Sequence, residues 1–84
     1  MSKLIFKMKG NPEKKWDALV KEFLGDSLAE QAVIEADATA LTSEAKIKLL
    51  EYKPNPSLES KLASDENVIS AFIIENKEIK KRIK

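Results

Sequence analysis

The chain has 84 residues, 43% hydrophobic and 35% charged, with 15 basic against 14 acidic side chains and a net charge of +1. That size holds one hydrophobic core, and the balanced charge gives no whole-molecule field that would draw the protein to nucleic acid or a membrane. The absence of cysteine and histidine excludes a disulfide framework, a thiolate metal site, a cysteine nucleophile and the usual proton shuttle near neutral pH.

The start, Met1-Ser2-Lys3-Leu4-Ile5-Phe6-Lys7, interleaves lysine with apolar residues, unlike the continuous apolar run of a signal peptide, and no stretch approaches membrane-spanning length. These features lead to the expectation of a cytoplasmic domain with no membrane span. Residues 3–9 alternate strictly, with Leu4, Phe6 and Met8 on one side and Lys3, Ile5, Lys7 and Lys9 on the other, which predicts a first strand. Gly10 breaks it, and Asn11, Pro12 and Glu13 form a helix-start signal. Trp16, Leu19, Val20, Phe23 and Leu24 follow at helical spacing and end at Gly25, which predicts a first helix with Trp16 in the core.

Residues 26–52 have a composition that would also suit a long helix. Their period argues for strands. From Ile34 to Ala40 apolar or small residues alternate with Glu35, Asp37 and Thr39, which predicts a second strand with Ile34, Ala36, Ala38 and Ala40 under the helices. A turn at residues 41–44 and renewed alternation through Lys46, Ile47, Lys48 and Leu49 complete a hairpin with a third strand. Asn55 and Pro56 open a short second helix carrying Leu58, Leu62 and Ala63. Residues 68–74 are apolar with β-branched and aromatic members, the pattern of a fourth strand apolar on both faces. Residues 77–84 are read as a basic tail, with the domain proper at 1–76.

Residues 3–12 and 47–56 correspond at a fixed offset that matches Lys9 with Lys53, Asn11 with Asn55 and Pro12 with Pro56. Two such strand-to-helix halves in the order βαββαβ resemble the ferredoxin-like fold, which implies a two-layer α+β sandwich: a four-stranded antiparallel sheet with two helices on one face. The stretch Leu58 to Ile74 resembles the last helix and strand of ACT-type regulatory domains. The glycine-rich ligand turn of amino-acid-binding members is missing at Gly10-Asn11-Pro12.

Function is carried by sites and not by folds. Glu35 with Asp37, and Asp65 with Glu66, are the carboxylate pairs, read as a solvated strand face and a turn. No nucleophile, base and orienting group can be assembled, so the expectation is a protein that is not an enzyme and takes no cofactor and no metal. The apolar fourth strand makes Ile69, Phe72, Ile73 and Ile74 candidates for an interface with a protein partner or with a second copy in a homodimer. The leading expectation is a protein-interaction or regulatory module. The alternative is a nucleic-acid-binding module using Lys7, Lys9, Lys46, Lys48 and Tyr52 on the strands with Lys80, Lys81 and Arg82 in the tail.

Overall fold

The computed structural model describes residues 2–10, 13–36 and 44–84. The elements run β1 (Ser2–Lys9), α1 (Trp16–Leu24), α2 (Asp26–Gln31), β2 (Ala32–Ala36), β3 (Glu44–Tyr52), α3 (Pro56–Ser64), β4 (Val68–Glu75) and β5 (Glu78–Arg82). The strands form one five-stranded sheet in the order β2-β3-β1-β4-β5, with every neighbouring pair antiparallel. The protein is thus α+β, with three helices and five strands among the described residues.

The alternation of β1 sets the layering. Leu4, Phe6 and Met8 meet Ala45, Ile47 and Leu49 of β3 and Val68, Ala71 and Ile73 of β4 in one buried cluster, closed by Val20, Phe23 and Leu24 of α1 and Leu58 and Leu62 of α3. All the helices that contribute to the core therefore cover one sheet face. Phe6 and Phe23 stack across the two layers with ring centroids 5.6 Å apart. Lys61 of α3 ties the helices together by donating to the Phe23 carbonyl at 2.8 Å, which occupies an acceptor at the end of α1, while its ammonium lies 4.4 Å from the centre of the Phe23 ring.

Four expectations change. The sheet has five strands, because residues 78–82, read above as tail, pair with β4. The link is a two-residue turn in which Asn76 (φ 53°) and Lys77 (φ 66°) both take the left-handed conformation that a tight hairpin requires. The first helix starts at Trp16 behind Lys15, which makes no side-chain capping bond; Asn11 and Pro12 lie outside the described residues. The Trp16 ring and Leu19 lie so close to Gly10 that a Cβ there would sit 2.8 Å from Trp16 Cη2 and 2.9 Å from Leu19 Cδ1. Trp16 is half-buried and packs against the core. The second start does follow the Asn-Pro signal, with Asn55 Oδ1 accepting from Leu58 N at 3.2 Å and Pro56 in the first turn.

An additional helix, α2, precedes β2. It is too short to show a period, and only Leu28 and Ala29 reach the core. Strand β2 is described from Ala32 to Ala36; Ile34 packs on the core, but Ala36 is exposed, on the helix side yet beyond the helices' cover. Asp37, Ala38, Thr39 and Ala40 lie outside the described residues.

Candidate functional site

Among the described residues no element covers the sheet face opposite the helices, and the side chains of this open face follow from the register. One row across the strands reads Val33 of β2, Lys48 of β3, Ile5 of β1 and Phe72 of β4, with Arg82 of β5 opposite Phe72. A parallel row nearer the β4–β5 turn reads Lys3, Ile74 and Ile79, with Leu50 beside Lys3. On the other side of the first row stand Glu35, Lys46, Lys7 and Ser70. The face therefore has its apolar side chains, with Lys3, Lys48 and Arg82 among them, in the half toward the β4–β5 turn, and charged and polar side chains, with Lys7, Lys9 and Lys46 among them, in the half toward the opposite end.

The apolar half comes from positions that would be polar on a solvated sheet. Val33, Leu50 and Ile79 are 41%, 45% and 54% exposed, and Ile5, Phe72 and Ile74 are half-buried. Lys3, Ile5, Lys48, Leu50 and Ile74 line a shallow depression with Asn76 and Lys77 of the turn. β4 supplies apolar side chains to both faces by alternation, and near its start it carries a bulge: Lys7 pairs with Ser70 and Met8 with Val68, which leaves Ile69 as the extra residue. The bulge restores Val68 to the core side with Ala71 and Ile73, while Ser70, Phe72 and Ile74 take the open side.

The basic half holds Lys7 directly opposite Lys46, and Lys9 opposite Glu44. Lys48 pairs with Glu35 at 2.8 Å, and that ammonium holds the Glu35 carboxyl below its ordinary value, with Lys46 adding to the effect. Among the described residues neither Lys7 nor Lys46 forms an ion pair. Like charges directly opposite on a sheet repel, a cost at Lys7-Lys46 that Glu35, opposite Lys46 on its other side, offsets in part.

The candidate residues read from the sequence divide accordingly. Phe72 and Ile74 share the open face with Lys7, Lys9, Lys46 and Lys48, and Ile69 sits at the bulge. Ile73 is in the core, 7% exposed. Tyr52 is also buried, on the helix side, because β1 and β3 shift register between Ser2 and Leu4. Its hydroxyl donates to Glu59 Oε2 at 2.7 Å and accepts from Asn55 N at 3.0 Å. Lys81, opposite Ile73, reaches Glu59 Oε1 at 2.8 Å on the same side, and Lys80 pairs with Glu75 at 2.7 Å. Burial and the bond to Glu59 push the Tyr52 phenol up to about 12. Lys81 first, then Tyr52, hold the Glu59 carboxyl below its ordinary value. This Tyr52-Glu59-Lys81 chain joins β3, α3 and β5 and is structural.

Leu50 and Ile79 are the open-face residues that sequence patterning misses. The signal for Ile79 is the Asn76-Lys77 pair flanked by Ile74 and Ile79, a tight-hairpin pattern; for Leu50 it is continued alternation from Lys46 and Lys48. Of the carboxylate pairs, Asp37 lies outside the described residues and Asp65 accepts from Asn67 N at 2.8 Å in the turn before β4; among the described residues no group of three or more Asp and Glu side chains is placed to hold a metal ion. No described helix is long and apolar enough to cross a membrane. No protein-family model matches the chain, and neither a curated protein nor a solved structure is significantly similar to it.

Proposed function

We propose that this domain is a small non-catalytic protein-interaction or regulatory module that docks a larger protein on its open sheet face. The observation that carries the reading is the apolar half of that face, where Ile5, Phe72, Ile74, Leu50 and Ile79 stand together with no described helix above them. The order β2-β3-β1-β4 with helices on one side supports reading the domain as ferredoxin-like with β5 as an added strand. A cytoplasmic setting belongs to the same reading and suits a chain without cysteine.

The test is a photo-crosslinking amino acid placed at Leu50, which is exposed on the open face, against the same group at Ser57, exposed on α3. In cells of the native host, position 50 is expected to give a discrete adduct with one protein and position 57 none. Equal labelling from both positions, or none from position 50, removes the reading.

A second reading, a nucleic-acid-binding module, is favoured by Lys7, Lys9, Lys46 and Lys48 on one face. It requires oligonucleotide binding that weakens steeply between about 50 and 200 mM salt.

A further inference from the structure

We propose that the occupant of the open face is an acidic amphipathic protein segment, with an apolar stripe flanked on one side by carboxylates, and not a second copy of this chain. The inference rests on the interaction-module reading and adds the chemistry of the partner.

Charge complementarity at fixed spacing selects this partner. Lys3, Lys7, Lys9, Lys46 and Lys48 face Glu35 and Glu44 on this surface, so among the described residues the open face is positive within a molecule that is almost neutral. The Lys7-Lys46 couple, which forms no ion pair among the described residues, lies one row from Ile5 and Phe72, two residues along the strands and therefore roughly 7 Å away. A segment seated on the Ile5-Phe72-Ile74 surface would place a flanking carboxylate over Lys7 and Lys46, relieving a repulsion that the free domain holds. Two copies packed with these basic rows overlapping would set lysines against lysines, which disfavours that mode of self-association. A single-stranded nucleic acid would satisfy the lysines, but stacking platforms are built from aromatic rings, and Phe72 is the only ring on the described face. Aliphatic Ile5, Leu50, Ile74 and Ile79 match a protein side chain better than a base.

The variant that tests this is Lys7→Glu, because it separates folding from recognition. Opposite Lys46 it replaces a repulsion by an attraction, so the melting temperature is expected to rise by about 2–4 °C. A displayed library of random 16-residue peptides is selected on the wild-type domain, and each enriched peptide is then titrated against wild type, Lys7→Glu and Phe72→Ser. The expected result is enrichment of peptides in which Asp or Glu flank an apolar stripe, with binding roughly tenfold weaker to Lys7→Glu at 50 mM salt. Neutral or basic peptides, or acidic ones indifferent to Lys7→Glu, overturn the proposal while leaving the interaction face standing if Phe72→Ser still weakens them. No enrichment, or binding indifferent to Phe72→Ser, overturns both. Tighter binding of a dT15 oligonucleotide that Lys7→Glu abolishes overturns the proposal in favour of nucleic acid. A dimer in sedimentation that Phe72→Ser dissociates overturns it in favour of self-association.

Discussion

Gly25 ends α1 and opens α2 at φ 88°, ψ 162°, a conformation open in practice only to glycine, while a Cβ built there meets nothing within 4 Å. The cost of Gly25→Ala is therefore all backbone, about 1–3 kcal/mol, and a denaturant melt is expected to show a lower midpoint at unchanged slope. An unchanged midpoint would mean that the helix pair tolerates another junction. Glu59 gives a pH prediction. Its folded carboxyl is held below the ordinary 4.5 by Lys81 and Tyr52, so its stabilisation is present above that value and is lost as pH falls through the lower folded value. Melting temperatures recorded from pH 6 to pH 3 are expected to fall less steeply in Glu59→Gln than in the wild type. Parallel curves would show that the Tyr52-Glu59-Lys81 chain adds nothing. Tyr52 acts at the other limb: its phenol is raised to about 12, so its contribution is present below about pH 10 and lost as pH rises toward the folded value.

At the scale of the element, the β4–β5 hairpin is closed by a turn whose second residue is poorly suited to it. Asn76 accepts positive φ readily, but Lys77 at φ 66° carries a Cβ in the same left-handed region. Lys77→Gly converts the pair to the preferred Asn-Gly turn and is expected to raise stability by about 0.5–1 kcal/mol, measured by chemical denaturation. A loss would show that the lysine side chain contributes more to the hairpin than its backbone costs. The neighbouring helix α3 shows local signals and packing in agreement: Asn55 caps it, Pro56 sits in its first turn, and Leu58 and Leu62 bury one face. In α1 the local signal and the packing part, and the helix begins where Trp16 can lie against Gly10.

At the scale of the whole molecule, β5 decides whether residues 77–84 are an appendage or part of the fold. The strand is exposed and rich in Lys80, Lys81 and Arg82, as suits an edge that must not pair with other chains. Its anchors are the Lys81-Glu59 pair, the packing of Ile83 on the core and the bonds from Ile83 N and Lys84 N to the Ala71 carbonyl. Truncation after Asn76 removes these and bares the edge of β4, with an expected loss of at least about 2 kcal/mol and a greater tendency to aggregate. Thermal melts with light scattering compare the two chains, and an unchanged melting temperature would return the segment to the status of a tail.

The sequence by itself determined the elements whose side chains repeat with a clear period: β1 from Leu4, Phe6 and Met8, the stripe of α1, the start of α3 at Asn55-Pro56, and β3 and β4. It also placed Lys7 with Lys9 on one face of β1 and Lys46 with Lys48 on one face of β3, because a strand has period two. Only the tertiary structure decided the rest. The bulge at Ile69 is a mismatch between two strands distant in sequence, so no local pattern reveals that Val68 and Ile73 share the core while Phe72 and Ile74 face outward. The register shift that turns Tyr52 inward has the same origin. α2 is too short for its period to be read, and β5 looks like a solvated basic tail until the turn at Asn76 and Lys77 folds it onto β4. Local chemistry fixes a strand's two faces, but which face meets the core and which neighbours complete the open surface depend on pairings between segments far apart in the chain.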